Sequence, residues 1–471
     1  MKEIAIPFIT IIIVFFLNLM IKKKLFCISS VVLLYWIVCV GGAFFVYKNP
    51  RTGFPFVSHD AMVYLAKCSV FLLLPFLFVK DKTIHHEVIS HDFRVLDSKR
   101  DLWWNLVVVL LIAELCFASN IGELIRFFRS GLDRESFRLT IDRSIRGHIF
   151  ATLGALCMLP AKFAMFLSFA YLFFGKEKQQ KKLAIFLLIG SFAISFWSLQ
   201  QVDRRESGKI MFQLVTCTVI FLEYVSKEKR RSIIKLCGLV LCALLIPFLA
   251  ISIVRYSGGM SDDTTINNAD NWIYQMAQYF SAGPYFFNAD YCAVTEYGLP
   301  LFYGDYNLPL VSQLINPAIG IEPEIRAAEM WQNNDIFHIV YYQISQCHPF
   351  EFKTLVGCLI LDFPTHYVFF ALLAFCCITS MYFHFAKFSM AYLFFLFLYA
   401  YSMLFGTILY PFSYAVFNAE LIVLLGCGCV FAAFIHRNRI GFQVANTPES
   451  QDGNPQELHE VSNLEFQNVP R

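Results

Sequence analysis

Charge is scarce in this chain. Only 15% of its 471 residues are charged, against 57% hydrophobic, and 52 are phenylalanine. That balance does not suit a water-soluble surface, and it points to an all-α polytopic integral membrane protein. Motifs that hold nucleotides or metals are missing as well. There is no Walker loop, no dinucleotide-binding glycine fingerprint and no GxSxG elbow, which leaves nucleotide-coupled chemistry without support. CxxC and paired zinc patterns are absent, and HHEVISH (His85 to His91) brings its last histidine one residue too late for HExxH.

Cysteine is present but says little. Thirteen of the 15 lie in apolar segments, where a thiol acts as a small hydrophobe; only Cys292 and Cys347 fall in the longest polar segment. A bridge between those two needs an oxidising compartment and a geometry that sequence does not supply. The apolar stretch Ile4 to Ile21 is followed by Lys22, Lys23 and Lys24 instead of a small-residue cleavage site, so it is expected to be a first span.

What is there is a series of apolar runs. Runs near the roughly 20 residues that cross a bilayer occur at 4–21, 25–47, 61–79, 102–119, 148–174, 183–199, 210–225, 236–254, 364–385, 389–409 and 419–435. About 11 transmembrane helices are therefore expected. They divide the chain into an N-terminal bundle (1–254), one large extracytoplasmic loop that is partly helical (255–350), C-terminal helices (351–439) and a polar tail (440–471). Lysine-rich connections at 22–24, 80–100, 175–182 and 226–231, with HRNR at 436–439, alternate along the chain, which makes those sides cytoplasmic and the N-terminus extracytoplasmic.

The outer connections carry arginine instead: Arg126, Arg129, Arg134, Arg138, Arg143, Arg146, Arg204, Arg205, Arg255 and Arg326. Arginine offers a planar fork of donors matched to phosphate, and positive charge on this side runs against the orientation rule, so an anionic ligand on the outer face would account for it. The 120–147 segment is amphipathic and reads either as surface helices lying on lipid or as helices tied by internal ion pairs. In contrast, the large loop is acidic and aromatic, with Trp272, Tyr279, Tyr285, Tyr291 and Trp331. Such rings either stack on sugars or belong to an interfacial belt.

Ionisable residues inside spans are the sharpest single-residue signals, because each costs roughly 2.5 to 3.5 kcal/mol near the bilayer centre unless it faces a partner or a cavity. They are Lys67, Glu114, Lys162, Asp362, His366 and Glu420. Lys67, Glu114, Asp362 and Glu420 are expected in the outer halves of their spans, lining one cavity, or else snorkelling or pairing Lys with Glu. Lys162 follows Pro160, which predicts a kink. His338, one turn after Asp335, has the make-up of a general base, though a structural histidine reads equally from the pattern.

These features together resemble the oligosaccharide repeat unit polymerases, the Wzy-type O-antigen polymerases. The resemblance lies in the number of spans, in Arg255 closing a span before the largest outer loop (AISIVRYS), in YFSAGPYFFN (Tyr279 to Asn288) and in LILDF (Leu359 to Phe363). Pro364 stands where that family often continues with glycine, and Arg143 with Gly154 fits its Arg-x10-Gly pattern once. The resemblance implies a glycosyltransferase of a bacterial inner membrane that acts on undecaprenyl-pyrophosphate-linked oligosaccharides among membrane lipids. It implies no metal, cofactor or nucleic acid, and it implies chain-length regulator and flippase proteins as partners. Under it, Arg255, Arg204 and Arg205, assisted by Arg143 and Arg146, are expected to hold pyrophosphate, with Tyr256, Tyr279 and Arg326 also contacting substrate. Asp203, Glu206, Asp335 and His338 remain alternative candidates for the base. An O-antigen ligase and a lipid-linked sugar flippase share most of these features.

Overall fold

A computed structural model of the chain describes residues 2–47, 57–80, 86–118, 145–194, 205–222, most of 230–245, 280–296, scattered positions from 298 to 312, 354–407 and 415–445. Its elements are helical throughout, with no strand among the described residues. In chain order they are α1 (Ala5–Lys22), α2 (Ile28–Tyr47), α3 (His59–Leu73), α4 (His86–Asp97), α5 (Arg100–Ala118), α6 (Ile145–Cys157) and α7 (Ala161–Phe174). There follow α8 (Lys178–Gly190), α9 (Arg205–Leu222), α10 (Gly283–Thr295), α11 (Leu355–Asp362), α12 (Thr365–Phe385), α13 (Met390–Phe405) and α14 (Ala415–Ala445).

Among the described residues, six stretches are long and apolar enough to cross a membrane: Ala5–Lys22, Ile28–Val46, His59–Phe78, Arg100–Ala118, Thr365–Phe385 and Asn418–Asn438. Each coincides with one of the eleven expected spans. Shorter apolar helices, Ala161–Phe174, Gly208–Leu222, Ile233–Cys242 and Met390–Phe405, stand at four more of those positions. The protein is a helical, multi-pass membrane protein.

Burial sorts the helices into an inner and an outer set. All but two residues of α13 and all but two of α7 are buried, so these helices form the centre. In contrast, α12 buries only Val368, Leu372, Cys376 and Phe383, and it exposes Tyr367, Phe370, Ile378, Met381 and Phe385. Apolar side chains exposed in this way are what a lipid-facing surface requires, since lipid, unlike water, imposes no cost on them. Phenylalanine fills the centre: Phe166 of α7 lies 5.2 Å from Phe221 of α9 and 5.2 Å from Phe394 of α13, ring centre to ring centre.

The expected span 148–174 is two helices. Pro160 has no N–H to give the carbonyl of Leu156, and the chain turns through Met158–Pro160, where Ala161 N–H donates to Met158 O at 2.9 Å. The break leaves Lys162 in the first turn of α7, fully buried.

Polar contacts gather the connections at two ends. At one, Lys22 Nζ donates to Val79 O, Lys80 Nζ to Ala386 O at 2.6 Å, and Met390 N–H to Asp92 Oδ2 at 2.9 Å. Arg100 there bridges Asp97 (2.7 Å) and Glu177 (3.0 Å). Partial burial pushes the Asp97 carboxyl up, but hydrogen bonds from Arg100 and Gln180 outweigh it and hold the group below its usual range. At the other end, His59 pairs with Glu3 at 2.6 Å, Ser58 N–H donates to Asn288 Oδ1 at 2.7 Å and Tyr64 Oη donates to Thr365 O at 2.6 Å. The first of these ends gathers the lysine-rich connections 22–24, 80–100 and 175–182.

Candidate functional site

The first component is one face of α9. The sequence places QVDRRESGK in an outer turn, but the helix already begins at Arg205, so Glu206, Gly208 and Lys209 belong to it. Lys209 and Gln213 are spaced i, i+4 and lie on one face of α9, about 6 Å apart along its axis. Lys209 is 1% exposed and Gln213 fully buried. The Lys209 ammonium sits 5.5 Å from the centre of the Phe405 ring, within reach of a cation–π attraction.

The depth of this face follows from ring contacts. α9 and α13 run antiparallel, since Lys209 and Phe212 meet Phe405 at the end of α13, whereas Phe221 shares Phe166 with Phe394 and Phe397 nearer its start. Gln213 follows Phe212 and so lies within about one helical turn of Phe405. Lys162 Nζ is 5.6 Å from the Tyr401 ring and pairs with Glu420 of α14.

The second component is formed by α10 and α11. The GPYFFN motif opens α10, with Gly283 and Pro284 in its first turn, where a proline loses nothing by lacking its N–H. Although it falls in the segment expected as an outer loop, α10 is packed into the bundle, burying Gly283 to Asp290 without a gap, with Tyr285 Oη donating to Ala43 O at 3.0 Å. The thiol of Cys292 is free and buried; Cys347 lies outside the described residues.

LILDF ends α11 and turns into α12. Phe363 is extended (φ −134, ψ 149), as the residue before a proline prefers, and Pro364 caps α12. Asp362, fully buried, accepts from Asn307 N–H at 2.9 Å and from Asn307 Nδ2 at 2.5 Å; Asn418 Nδ2 of α14 donates to Asn307 O at 2.9 Å.

The four residues expected to line one cavity do not share one. Lys67 is exposed and Glu114 half-buried, whereas Asp362 and Glu420 are buried, Asp362 against Asn307 and Glu420 against Lys162. His366 is exposed. The Lys–Glu pairing alternative is realised by Lys162 and Glu420.

Of the residues expected to act, Arg205 and Glu206 open α9 and Arg146 is the second residue of α6. Arg143, Asp203, Arg204, Arg255, Tyr256, Tyr279, Arg326, Asp335 and His338 lie outside the described residues. Sequence reasoning missed Lys209 and Gln213. Lysine at the edge of a polar turn reads as water-facing, and one glutamine in an apolar run draws no attention, but their four-residue spacing from Arg205 was visible. Compared with family models, with curated proteins and with solved structures, the chain matches none.

Proposed function

We propose that this chain polymerises lipid-linked oligosaccharide repeat units on the outer face of a bacterial inner membrane, as a metal-independent glycosyltransferase. The observation that supports the reading is that the two motifs behind the resemblance, GPYFFN and LILDF, come together in a multi-pass helical bundle as the packed helices α10 and α11. The growing glycan passes from its undecaprenyl pyrophosphate carrier to a sugar hydroxyl of the next unit: the bond from the anomeric carbon to the phosphate oxygen breaks, a bond to the hydroxyl oxygen forms, and the hydroxyl proton goes to a base. Undecaprenyl pyrophosphate leaves. Cations stabilise the departing charge, and the base is one of Asp203, Glu206, Asp335 and His338.

Deletion of the gene followed by gel analysis of surface glycan tests the reading. A polymerase mutant retains one repeat unit per acceptor, a ligase mutant retains none, and an unchanged ladder rejects both. Arg255→Ala is expected to abolish long chains while the protein still inserts.

One observation favours a second reading, a transporter of lipid-linked sugars. The α6–α7 helix is broken beside a buried ion pair, and discontinuous helices of this kind line substrate paths in transporters. Accumulation of unflipped lipid-linked repeat units on the cytoplasmic leaflet after deletion would select it.

A further inference from the structure

Where α5 and α8 meet at the lysine-rich end of the bundle, an open pocket of about 460 Å³ is lined by Asp97, Arg100, Asp101, Trp104, Gln179 and Lys182. Asp97 and Arg100 spend their charges on each other at 2.7 Å, and Gln179 Oε1 accepts from Arg100 at 2.9 Å. Asp101 and Lys182 are left. Both are exposed, and among the described residues neither side chain forms an ion pair or a hydrogen bond, with the other or with a third group. One pocket thus presents a carboxylate and an ammonium that do not neutralise each other.

The depth of the pocket is that of a lipid headgroup. The span Arg100–Ala118 begins at its wall, so Asp101 lies in the first turn of α5 and Trp104 just below it, at the level where tryptophan meets a membrane surface. From there α5 and α8 run parallel, since the Trp104 and Phe186 rings are 5.5 Å apart and Gly190 lies against Leu110. Further along, the two helices expose Val108, Ile112, Ile185, Phe186 and Ile189. Polar pocket and apolar strip follow one another on the same two helices, in the order of a phospholipid's headgroup and acyl chains.

The charges select among headgroups. A purely anionic head meets Lys182 but also faces the Asp101 carboxylate, and a quaternary ammonium has no N–H to give that carboxylate. We infer that the pocket binds a phospholipid whose head carries both a phosphate and a primary ammonium, phosphatidylethanolamine, with Lys182 toward the phosphate and Asp101 accepting from the ammonium. A soluble phosphoethanolamine carries the same charges, but Trp104 and the apolar strip suit the lipid. The site is separate from the glycosyl transfer proposed above and holds whether or not that reading does.

The full chain, purified in detergent and stripped of lipid, is titrated with short-chain phosphatidylethanolamine, phosphatidylglycerol and phosphatidylcholine and with soluble glycerophosphoethanolamine, reading bound ligand by native mass spectrometry. Phosphatidylethanolamine is expected to bind about fivefold more tightly than either other lipid, the upper end of what one partly screened ion pair supplies, and the soluble compound to bind more weakly than the lipid. Asp101→Lys is expected to invert the preference, so that phosphatidylglycerol binds more tightly than phosphatidylethanolamine. Lys182→Met is expected to weaken both about fivefold while the lipid-free melting temperature stays at the parent's value, because the exposed ammonium holds no protein group. The ratio of two lipids on one variant does not depend on the fraction folded, so the Asp101→Lys result stands even where that variant is less stable. The inference is overturned if no lipid binds, if phosphatidylglycerol or phosphatidylcholine binds the parent as tightly as phosphatidylethanolamine, if the soluble compound binds as tightly as the lipid, or if Asp101→Lys keeps the parent's preference.

Discussion

Lys162 and Glu420 form an ion pair inside the bundle, one in the first turn of α7 and the other in α14, with side-chain exposures of 0% and 3%. The pair joins a helix that begins at a break to a helix 258 residues further along the chain. Its energy is asymmetric: losing one partner leaves a charge in an apolar interior, whereas losing both does not.

Glu420→Leu or Lys162→Met alone is therefore expected to destabilise the protein by roughly 3 to 5 kcal/mol, while the double variant recovers most of that loss. Thermal unfolding of the purified variants in detergent gives the comparison. Additive single-variant losses would show that the two charges are not coupled.

Two glycines make opposite predictions. A Cβ on Gly283 would stand 2.6 Å from the backbone carbonyl oxygen of Thr407, a group that cannot swing aside, whereas one on Gly426 meets nothing within 4 Å. Gly283→Ala is expected to cost about 1 to 3 kcal/mol by overpacking the junction of α10 with the end of α13. Gly426→Ala, in the middle of α14, is expected to be neutral or to add up to about 1 kcal/mol from helix propensity. Equal melting temperatures for the two variants would contradict the packing described for α10.

Asp362 anchors the α11 turn through its hydrogen bonds from Asn307. Asp362→Leu leaves the Asn307 backbone N–H unmet, while Asn307 Nδ2 keeps its bond to Cys358 O, and is expected to lose roughly 1 to 3 kcal/mol; Asp362→Asn keeps an acceptor and is expected to lose less. Limited proteolysis of membranes checks the order, with the leucine variant cleaved faster.

The two-ended arrangement predicts accessibility. Glu296 and Lys178 are exposed, near opposite ends of the bundle. With a membrane-impermeant thiol reagent on intact cells, Glu296→Cys is expected to label and Lys178→Cys to label only after the membrane is opened. The reverse pattern would invert the proposed orientation and move the Arg205 end to the cytoplasm.

Much of the fold could be read from composition and run length, because a bilayer demands about 20 apolar residues wherever a helix crosses it. The six long spans found among the described residues are of this kind. The candidate site was less legible. Arg205 stood out as a charge at a span end, but Lys209 and Gln213 did not, because burial of a polar side chain depends on which neighbours close over it. Phe405, whose ring covers Lys209, lies 196 positions away in the sequence. Expectations for Arg255, Asp335 and His338 concern residues outside those described.

The sequence by itself determined that this is a helical membrane protein, where its apolar runs lie and that Pro160 interrupts one of them, since these follow from local backbone chemistry and from the hydrophobic thickness of a bilayer. Only the tertiary structure decided which charges inside the spans are paired, which face lipid and which are enclosed. Lys67 and Lys162 are both lysines in apolar runs, yet one is exposed and the other is held by Glu420. That outcome depends on helix rotation and long-range packing, which no local pattern specifies.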